Sequence, residues 1–329
     1  MLILSAEDVR RALPMADAIA AMKRAYAALA DWRAEIPLRA RLPVRPYDGV
    51  GLVMPAFVQD DAASALAVKV VCVFGQNPAK GLPLIHAAVL VMAPESGRPL
   101  ALLEGGALTA IRTGAGAGAA TDLLARPDSR VAAILGAGVQ ARTQLEAICT
   151  VRPIETAWVY DPNPDRVAAF IAEMAGQGPV PADVRAAAAP RQAIADADVI
   201  SAATTSLTPV FADADLKPGA HVNGVGAYTL EMQELPPETM RRAYLVVDSR
   251  DAVFEEAGDV MQPIQAGLFT PGHIAAEVGE IVLGRAPGRT DPAQVTVFKS
   301  VGVAVQDAVA AQLALARAAA QGLGQEVAW

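Results

Sequence analysis

A short glycine-containing segment near the middle of the chain has the spacing of a loop that binds phosphate groups. The segment is Gly136-Ala-Gly138-Val-Gln-Ala141, and it lies between a predicted strand, Val131–Leu135, and a predicted helix, Gln140–Cys149. In this context the first glycine permits a tight turn, the second lets the backbone approach a diphosphate, and the final alanine lets the helix pack closely on the strand. The diphosphate then lies at the helix N-terminus, where backbone N–H groups lack partners. The sequence therefore predicts a dinucleotide site that includes Gly136 and Gly138.

An acidic residue, Asp161, follows the second predicted strand of this region. A carboxylate at this place accepts hydrogen bonds from the adenosine ribose hydroxyls and repels a 2′-phosphate. The sequence therefore favours NAD(H). NADP(H) remains possible, because the nearby Arg166 could pair with a 2′-phosphate, although Arg166 fits better as a solvated residue on a helix. A second glycine match, Gly114-Ala-Gly116-Ala-Gly-Ala119, follows a segment with helical character, and we interpret it as a stripe for close packing.

Three cations, Arg39, Lys69 and Arg112, each interrupt an apolar segment in the first third of the chain. An unpaired ammonium is costly to bury, so the Lys69 side chain either reaches solvent or faces a ligand, and the sequence leaves both open. A guanidinium can bind a carboxylate through two parallel hydrogen bonds. Taken singly, each arginine fits a surface or interdomain salt bridge better than a ligand site.

The elements before residue 131 are predicted to be two helices, several strands and a third helix. Apolar residues recur at helical spacing over Ala6–Asp31, and Pro14 separates this stretch into two helices. The Ala- and Gly-rich segment Gly105–Leu124 is predicted to be a closely packed helix. Strands of an antiparallel or mixed sheet are predicted at Leu38–Val44, Gly51–Phe57, Ala65–Phe74, Leu84–Met92 and Leu100–Leu103.

From Val131 onward, predicted strands and helices alternate, which is typical of a doubly wound parallel sheet. The last helix, Val301–Ala320, is apolar on nearly all sides and is predicted to be buried and to return to the first domain. A chain of 329 residues is long enough for two cores, since single cores stop growing at roughly 250–300 residues. The strands and helices of this half are predicted at Val131–Leu135, Gln140–Cys149, Thr156–Tyr160, Pro164–Met174, Val199–Ala203, Ala220–Val225 and Tyr244–Val247.

Composition and charge argue against several classes of partner. The formal net charge is −8, with 27 Lys and Arg against 35 Asp and Glu and no basic cluster, which argues against a nucleic acid. Apolar runs end well before the roughly 18 residues that a membrane helix needs, and no secretory signal is visible, so we expect a cytoplasmic protein without a membrane partner. No metal site is predicted, since the histidines are scattered and the two cysteines, Cys72 and Cys149, lie apart in apolar stretches.

Several stretches, in order and over nearly the whole chain, resemble the ornithine cyclodeaminase/mu-crystallin family. No single stretch is decisive, but their joint occurrence is highly specific. They are Lys69, Gln76–Pro83, Leu108–Thr113, Gly136–Ala141, Val222–Ala227 and Phe298–Gly302.

The resemblance implies an α/β protein that is a homodimer, with a Rossmann-type doubly wound parallel sheet and an α+β domain containing a mixed sheet. Residues 1–112 plus 303–329 would bind substrate and mediate dimerisation, residues 113–302 would bind NAD, and the site would lie between the two domains. Arg39, Lys69 and Arg112 would hold the carboxylate of a small imino or amino acid. Around the cofactor, the resemblance adds Thr113, Val139, Gln140, Ala203, Thr204, Val225, Lys299 and Ser300.

One position departs from the family pattern. Members that deaminate ornithine carry an Asp where this chain has Tyr228, and a phenol with an ordinary pKa near 10 does not replace a carboxylate base at neutral pH. We therefore expect reduction of a small 2-imino acid, with Δ1-pyrroline-2-carboxylate giving proline as the best single guess. Met54 and Tyr228 are the candidates for the substrate pocket, and Glu231 is either a substitute carboxylate or, more in keeping with its context, a surface residue.

Two other functions are left open at this point. The first is deamination of the ornithine cyclodeaminase or alanine dehydrogenase type, with NAD as the oxidant. The second is a crystallin-type protein that binds NAD and a small ligand without turnover.

Overall fold

The computed structural model describes residues 1–59 and 63–328. The chain folds into two compact units, one made of Met1–Arg112 with Val303–Trp329 and the other of Thr113–Gly302. No helix among the described residues is both long enough and apolar enough to cross a membrane.

The helices and strands have the following bounds. The helices are α1 (Ala6–Ala12), α2 (Met15–Ala30), α3 (Gly105–Leu124), α4 (Val139–Val151), α5 (Pro164–Met174), α6 (Pro190–Ile194), α7 (Pro237–Arg242), α8 (Arg250–Glu256), α9 (Gly258–Gln265), α10 (Val278–Val282) and α11 (Ala304–Gln321). The strands are β1 (Leu2–Leu4), β2 (Ala34–Glu35), β3 (Ala40–Val44), β4 (Gly49–Val58), β5 (Ala65–Phe74), β6 (Ile85–Met92), β7 (Pro99–Glu104), β8 (Val131–Leu135), β9 (Thr156–Tyr160), β10 (Val184–Ala186), β11 (Val199–Ala202), β12 (His221–Gly224), β13 (Tyr244–Val247), β14 (Ala276–Glu277), β15 (Thr296–Lys299) and β16 (Gln325–Glu326).

The first unit is built on a mixed sheet with the strand order β16-β1-β7-β6-β5-β4-β2, and β3 pairs with β4. The pair of β1 with β7 is parallel, whereas the pairs from β7 to β4 are antiparallel. Helix α11 packs on β4, β5 and β6 and also contacts α1 and α2. One face of this sheet is therefore covered by the last helix of the chain.

Side chains alternate between the two faces of β5, as the period of a strand requires. Ala65, Ala67 and Val71 are buried on the face that α11 covers, whereas Val70 is 46% exposed on the outer face. Lys69 has the same parity as the buried residues, so its ammonium points into the unit and not toward solvent.

The second unit is a parallel sheet with the order β10-β9-β8-β11-β12-β15-β13-β14. The chain moves outward from β8 to β10 in one direction and continues from β11 in the other, so the order reverses between β8 and β11. In sheets of this kind, ligands bind outside the carboxyl ends of the strands at that point. The predicted α/β class, with a doubly wound parallel sheet and a separate mixed sheet, is confirmed.

Several predicted elements have the bounds that the sequence indicated. Strands β5, β8, β9 and β13 and helices α3 and α5 begin and end as predicted. Three strands of the second unit, β10, β14 and β15, were not predicted.

Two predictions about side chains and helix bounds need correction. The last helix begins at Ala304 and not at Val301, because the carboxylate of Asp248 accepts the backbone N–H groups of Val301 and Gly302 and holds them outside the helix. Cys149 is buried as predicted, whereas Cys72 is only half-buried, and both are free thiols.

Candidate active site

Lys69 and Arg112 share one carboxylate inside the first unit. Nζ of Lys69 lies 2.7 Å from Oδ2 of Asp307, and Nε of Arg112 lies 2.9 Å from Oδ1 of the same residue. Lys69 comes from β5, Arg112 from α3 and Asp307 from the first turn of α11. Lys69 is 1% exposed, Arg112 5% and Asp307 2%, so the three charges are held away from bulk water.

A buried amide, Gln306, supports this cluster from the position of α11 just before Asp307. Its Oε1 accepts hydrogen bonds from Nη1 of Arg112 at 3.1 Å and from the backbone N–H of Val303 at 2.9 Å. Its Nε2 donates to the hydroxyl of Tyr26 on α2 at 2.8 Å. The Arg112 guanidinium is thus fixed at two of its three nitrogens.

The charges of this cluster do not balance. Arg39 lies half-buried just before β3, and its charge also acts on Lys69. Within the buried cluster itself, two cations, Lys69 and Arg112, share one carboxylate. Burial and the nearby Arg112 and Arg39 lower the pKa of Lys69 to about 7, although Asp307 opposes this. Burial would raise the pKa of Asp307, but Arg112 and Lys69 hold it below its ordinary value. A buried excess of positive charge is the electrostatic requirement for an anion site.

Donors remain for such an anion. In the part of the chain that the structure describes, Arg112 bonds to protein only through Nε and Nη1, and Lys69 pairs only with Asp307. A guanidinium has five N–H donors and an ammonium three. Met54 on β4 is directly opposite Lys69 in the antiparallel pair and is 3% exposed, so it adds an apolar wall beside the ammonium.

The glycine loop of the second unit has the backbone that its sequence predicts. Gly136 has φ = +93°, and a Cβ there would lie 2.8 Å from the carbonyl oxygen of Ala203, so a side chain is excluded on both grounds. A Cβ on Gly138 would meet nothing within 4 Å, which leaves open space beside the N-terminus of α4. The next residue, Val139, is 71% exposed, and Gln140 Oε1 is a buried acceptor without a partner among the described residues. The loop therefore fits a diphosphate and leaves polar and apolar groups for the rest of a dinucleotide.

Asp161 lies at the end of β9 and also braces the glycine loop. Its Oδ2 accepts the backbone N–H of Ala137, and its Oδ1 accepts that of Asn163, both at 2.9 Å. Each carboxylate oxygen has a second lone pair, so the group can still accept ribose hydroxyls. Arg166 is exposed on α5, in keeping with the interpretation of a solvated helix residue.

The second glycine match lies inside α3 and packs against α4. A Cβ on Gly114 would lie 2.5 Å from the carbonyl oxygen of Thr143. The interpretation of that match as a stripe for close packing is therefore confirmed. Thr113 precedes it on α3 and is half-buried.

The other predicted cofactor residues lie at carboxyl ends of the same sheet. Ala203 and Thr204 follow β11, Val225 follows β12, and Ser300 follows β15. Tyr228 is half-buried in the loop after β12, and Glu231 is exposed.

Glu234 is a functional candidate that the sequence did not indicate. Its buried carboxylate accepts the backbone N–H groups of Thr204 at 2.5 Å, Gly226 at 2.6 Å and Ala227 at 2.8 Å. It thereby ties the loop after β11 to the loop after β12. No motif surrounds Glu234, and its neighbours Glu231 and Gln233 are also polar, so the sequence offered no signal that sets it apart.

The structure gives Lys299 and Ser300 supporting contacts. The Lys299 ammonium is completely buried, donates to the carbonyl oxygen of Ala227 at 2.6 Å and lies 2.9 Å from Asp259. Ser300 Oγ donates to Asp248 at 2.7 Å. Their side chains brace strand-end loops, so a cofactor would meet the backbone here more readily than these side chains.

Two of the three histidines, His221 and His273, make hydrogen bonds to other parts of the protein. His221 is buried with its ring between Thr296 and Asn223, and burial together with Arg289 lowers its pKa to about 3. His86 is exposed, and His273 bonds to the Met240 carbonyl oxygen. Among the residues described, no group of three or more His, Cys, Asp or Glu side chains is placed to hold a metal ion.

Known proteins resemble this chain along its length. A Δ1-pyrroline-2-carboxylate reductase of Bacillus cereus is 38% identical over 333 residues, which cover 99% of this chain and 99% of that protein. The structure of Thermococcus litoralis Δ1-pyrroline-2-carboxylate reductase in complex with NADH and L-proline is 42% identical, with a TM-score of 0.95, covering 99% of this chain and 100% of that chain. An archaeal alanine dehydrogenase dimer with bound NAD is 29% identical, with a TM-score of 0.92, covering 100% of this chain and 99% of that chain.

The family model for ornithine cyclodeaminase/mu-crystallin matches residues 1–322. The resemblance inferred from scattered motifs is thus confirmed over almost the whole sequence. The chain belongs to the ornithine cyclodeaminase/mu-crystallin family.

Proposed function

We propose that this protein is an NADH-dependent reductase of small 2-imino acids, and that Δ1-pyrroline-2-carboxylate, giving L-proline, is its preferred substrate. The observation that carries the proposal is the buried cluster in which Lys69 and Arg112 share the single carboxylate of Asp307. Such a cluster has donors and positive charge to spare for one substrate carboxylate. Relatives named for this reaction, at 38% and 42% identity, support the choice of substrate.

In the proposed site, Arg112 and Arg39 bind the substrate carboxylate. Lys69 in its charged form pairs with the same carboxylate and donates a proton to the imine nitrogen, while the imine carbon accepts the hydride. A lysine with a pKa of about 7 is suited to proton exchange near neutral pH. Met54 and Tyr228 would contact the apolar part of the substrate. Positioning of this kind, without covalent chemistry by the protein, is what hydride transfer requires.

The second unit is the proposed cofactor domain. NADH supplies the hydride when it is bound. The loop Gly136–Gly138 and the N-terminus of α4 would hold its diphosphate, and Asp161 would accept its ribose hydroxyls and disfavour the 2′-phosphate of NADPH. Thr113, Val139, Gln140, Ala203, Thr204 and Val225 would line the remainder, with Lys299 and Ser300 bracing the loops.

The protein is proposed to be a homodimer in which a second copy covers the outer face of the first unit's sheet. Val53 and Val70 are directly opposite each other on β4 and β5, and they are 40% and 46% exposed. The solved alanine dehydrogenase relative is described as a dimer. The proposed compartment is the cytoplasm, where free thiols such as Cys72 and Cys149 persist.

Deamination of ornithine is less well supported. Tyr228 replaces the Asp of the deaminating members, and a buried carboxylate a few residues later, Glu234, already accepts three backbone N–H groups. Neither residue offers an unoccupied carboxylate for the second amine.

The deciding experiment is the loss of NADH absorbance on addition of Δ1-pyrroline-2-carboxylate, with NADPH run in parallel. Rapid oxidation of NADH with formation of proline supports the proposal. Release of ammonia from ornithine or alanine with NAD, without imine reduction, would instead favour a deaminase. Tight NADH binding without turnover on any imine would favour a protein that only binds ligands.

A further inference from the structure

The Asp307 carboxylate is the point at which the two buried cations of the first unit meet. One oxygen faces Nε of Arg112 and the other faces Nζ of Lys69. Nε is the guanidinium nitrogen closest to the side-chain stem, so this contact fixes the group while leaving the outer nitrogens for a ligand. Asp307 therefore restrains both cations and still leaves N–H donors on each of them for a substrate carboxylate.

We propose that Asp307 is a positioning residue for the reductase reaction, which orients Lys69 and Arg112 toward a single substrate and keeps Lys69 in its charged form. This inference rests on the proposed function. In this role Asp307 would act through the two cations that it contacts.

The charged groups that face Lys69 come from three elements. Asp307 comes from α11, Arg112 from α3, and Arg39 from the segment before β3. The residues directly opposite Lys69 on the neighbouring strands, Met54 on β4 and Val89 on β6, carry no charge. Asp307 is the anion of this set, so its loss would leave a buried ammonium with two guanidinium neighbours.

The position of Asp307 on its helix adds to this effect. It lies in the first turn of α11, where the helix dipole favours a negative charge. Burial would neutralise an isolated carboxyl group, yet the helix end and the two cations all favour its ionised form. The neighbouring contact of Gln306 with Tyr26 fixes the same turn against α2.

The test follows the Lys69 ammonium directly. The chain has five lysines, so protein labelled at the lysine side chain gives few resonances, and Lys69→Arg identifies the signal of Lys69. We expect Asp307→Asn to lower the midpoint of the Lys69 titration by about one pH unit or more. The alkaline limb of the kcat/KM profile for imine reduction should move in the same direction by the same amount.

Two further variants separate positioning from folding. Asp307→Glu keeps the charge and should return the Lys69 midpoint toward the wild-type value, even where turnover is reduced. Asp17→Asn removes a carboxylate that pairs with Arg317 of α11 at 2.8 Å near the surface, and it should leave the Lys69 midpoint unchanged.

The outcomes distinguish this inference from the proposed function. An unchanged Lys69 midpoint in Asp307→Asn overturns the role of Asp307, even if turnover is lost. A shifted midpoint with an unmoved kcat/KM limb also overturns it, because the charge of Lys69 would then not govern the reaction. If wild-type protein reduces no imine, the proposed function fails in that control, whatever the titration of the variants shows.

Discussion

Nζ of Lys69 lies 2.7 Å from Oδ2 of Asp307, and both side chains are almost completely buried. A buried ammonium without a partner costs several kcal/mol, so this pair makes a lysine possible on the covered face of a β-sheet. Because Arg112 shares the same carboxylate, the pair still leaves positive charge uncompensated. The cluster is thus stable enough to form and remains ready for one more anion.

Arg112→Ala should raise KM for the imino acid and lower kcat/KM by about 100-fold or more, because a lost charge-assisted contact costs roughly 3 kcal/mol. Steady-state kinetics with Δ1-pyrroline-2-carboxylate measures both parameters. Arg317→Ala removes an arginine of α11 that pairs with Asp17, and it serves as the matched control with no expected change. Equal kcat/KM in the two variants would remove Arg112 from the substrate site.

The rate of imine reduction should fall as pH rises through about 7, the pKa of Lys69 in the protein without substrate. The rate falls with rising pH because the reaction requires the charged form of Lys69, and Lys69 loses its proton above its pKa. A bound substrate carboxylate stabilises the ammonium, so the alkaline limb of kcat should lie at higher pH than that of kcat/KM. Lys69→Arg should abolish this limb, since a guanidinium does not titrate in this range; a limb that persists in that variant belongs to another group.

Gly138→Ala should weaken NADH binding about tenfold or more while leaving the fold intact. The reason is that the added Cβ meets no protein atom within 4 Å and projects into the space expected for the diphosphate. NADH fluorescence titration and thermal melting measure the two effects. Gly272→Ala, whose Cβ would lie 3.8 Å from the nearest atom, is the control.

Gly136→Ala should behave differently from Gly138→Ala. A φ of +93° and the close carbonyl oxygen of Ala203 make any side chain strained, at a cost of about 1–3 kcal/mol in the free energy of unfolding. Unchanged melting of Gly136→Ala, or unchanged NADH affinity of Gly138→Ala, would argue against the described geometry of the loop.

Asp161→Asn should raise the ratio of kcat/KM for NADPH to that for NADH by about tenfold, because it removes the charge that repels a 2′-phosphate. The amide oxygen can still accept the N–H of Ala137, so the glycine loop should keep its support. Asp165→Asn, on the exposed first turn of α5, is the control. A ratio that does not move would mean that another group selects the cofactor.

Val70→Asp should convert the proposed dimer into a monomer, because a charge on the outer face of the first sheet would be desolvated against the second copy. Light scattering measures the mass in solution. Leu268→Asp changes a similarly exposed apolar residue of the second unit and should leave the mass unchanged. A dimer that survives Val70→Asp would place the interface elsewhere.

The sequence predicted the local backbone conformation of the glycine loop. The strand Val131–Leu135, the turn at Gly136 and the helix behind it are contiguous, so residue types and spacing alone predicted the loop that the structure contains. The small residues of α3 and the continuous apolar run of β5 likewise predicted where these two elements begin and end. The family resemblance came from the same short stretches.

The partners of the buried charges were decided by the tertiary structure. Lys69, Arg112 and Asp307 belong to three elements, and the whole second unit separates the first two from the third along the chain. Glu234 is close in sequence to two of the three N–H groups it accepts, yet Thr204 lies on another loop. The sequence by itself determined which residue types were available and the local backbone that they adopt. Which carboxylate neutralises which cation was decided only when the strands and helices packed, because charge pairing depends on separation in space.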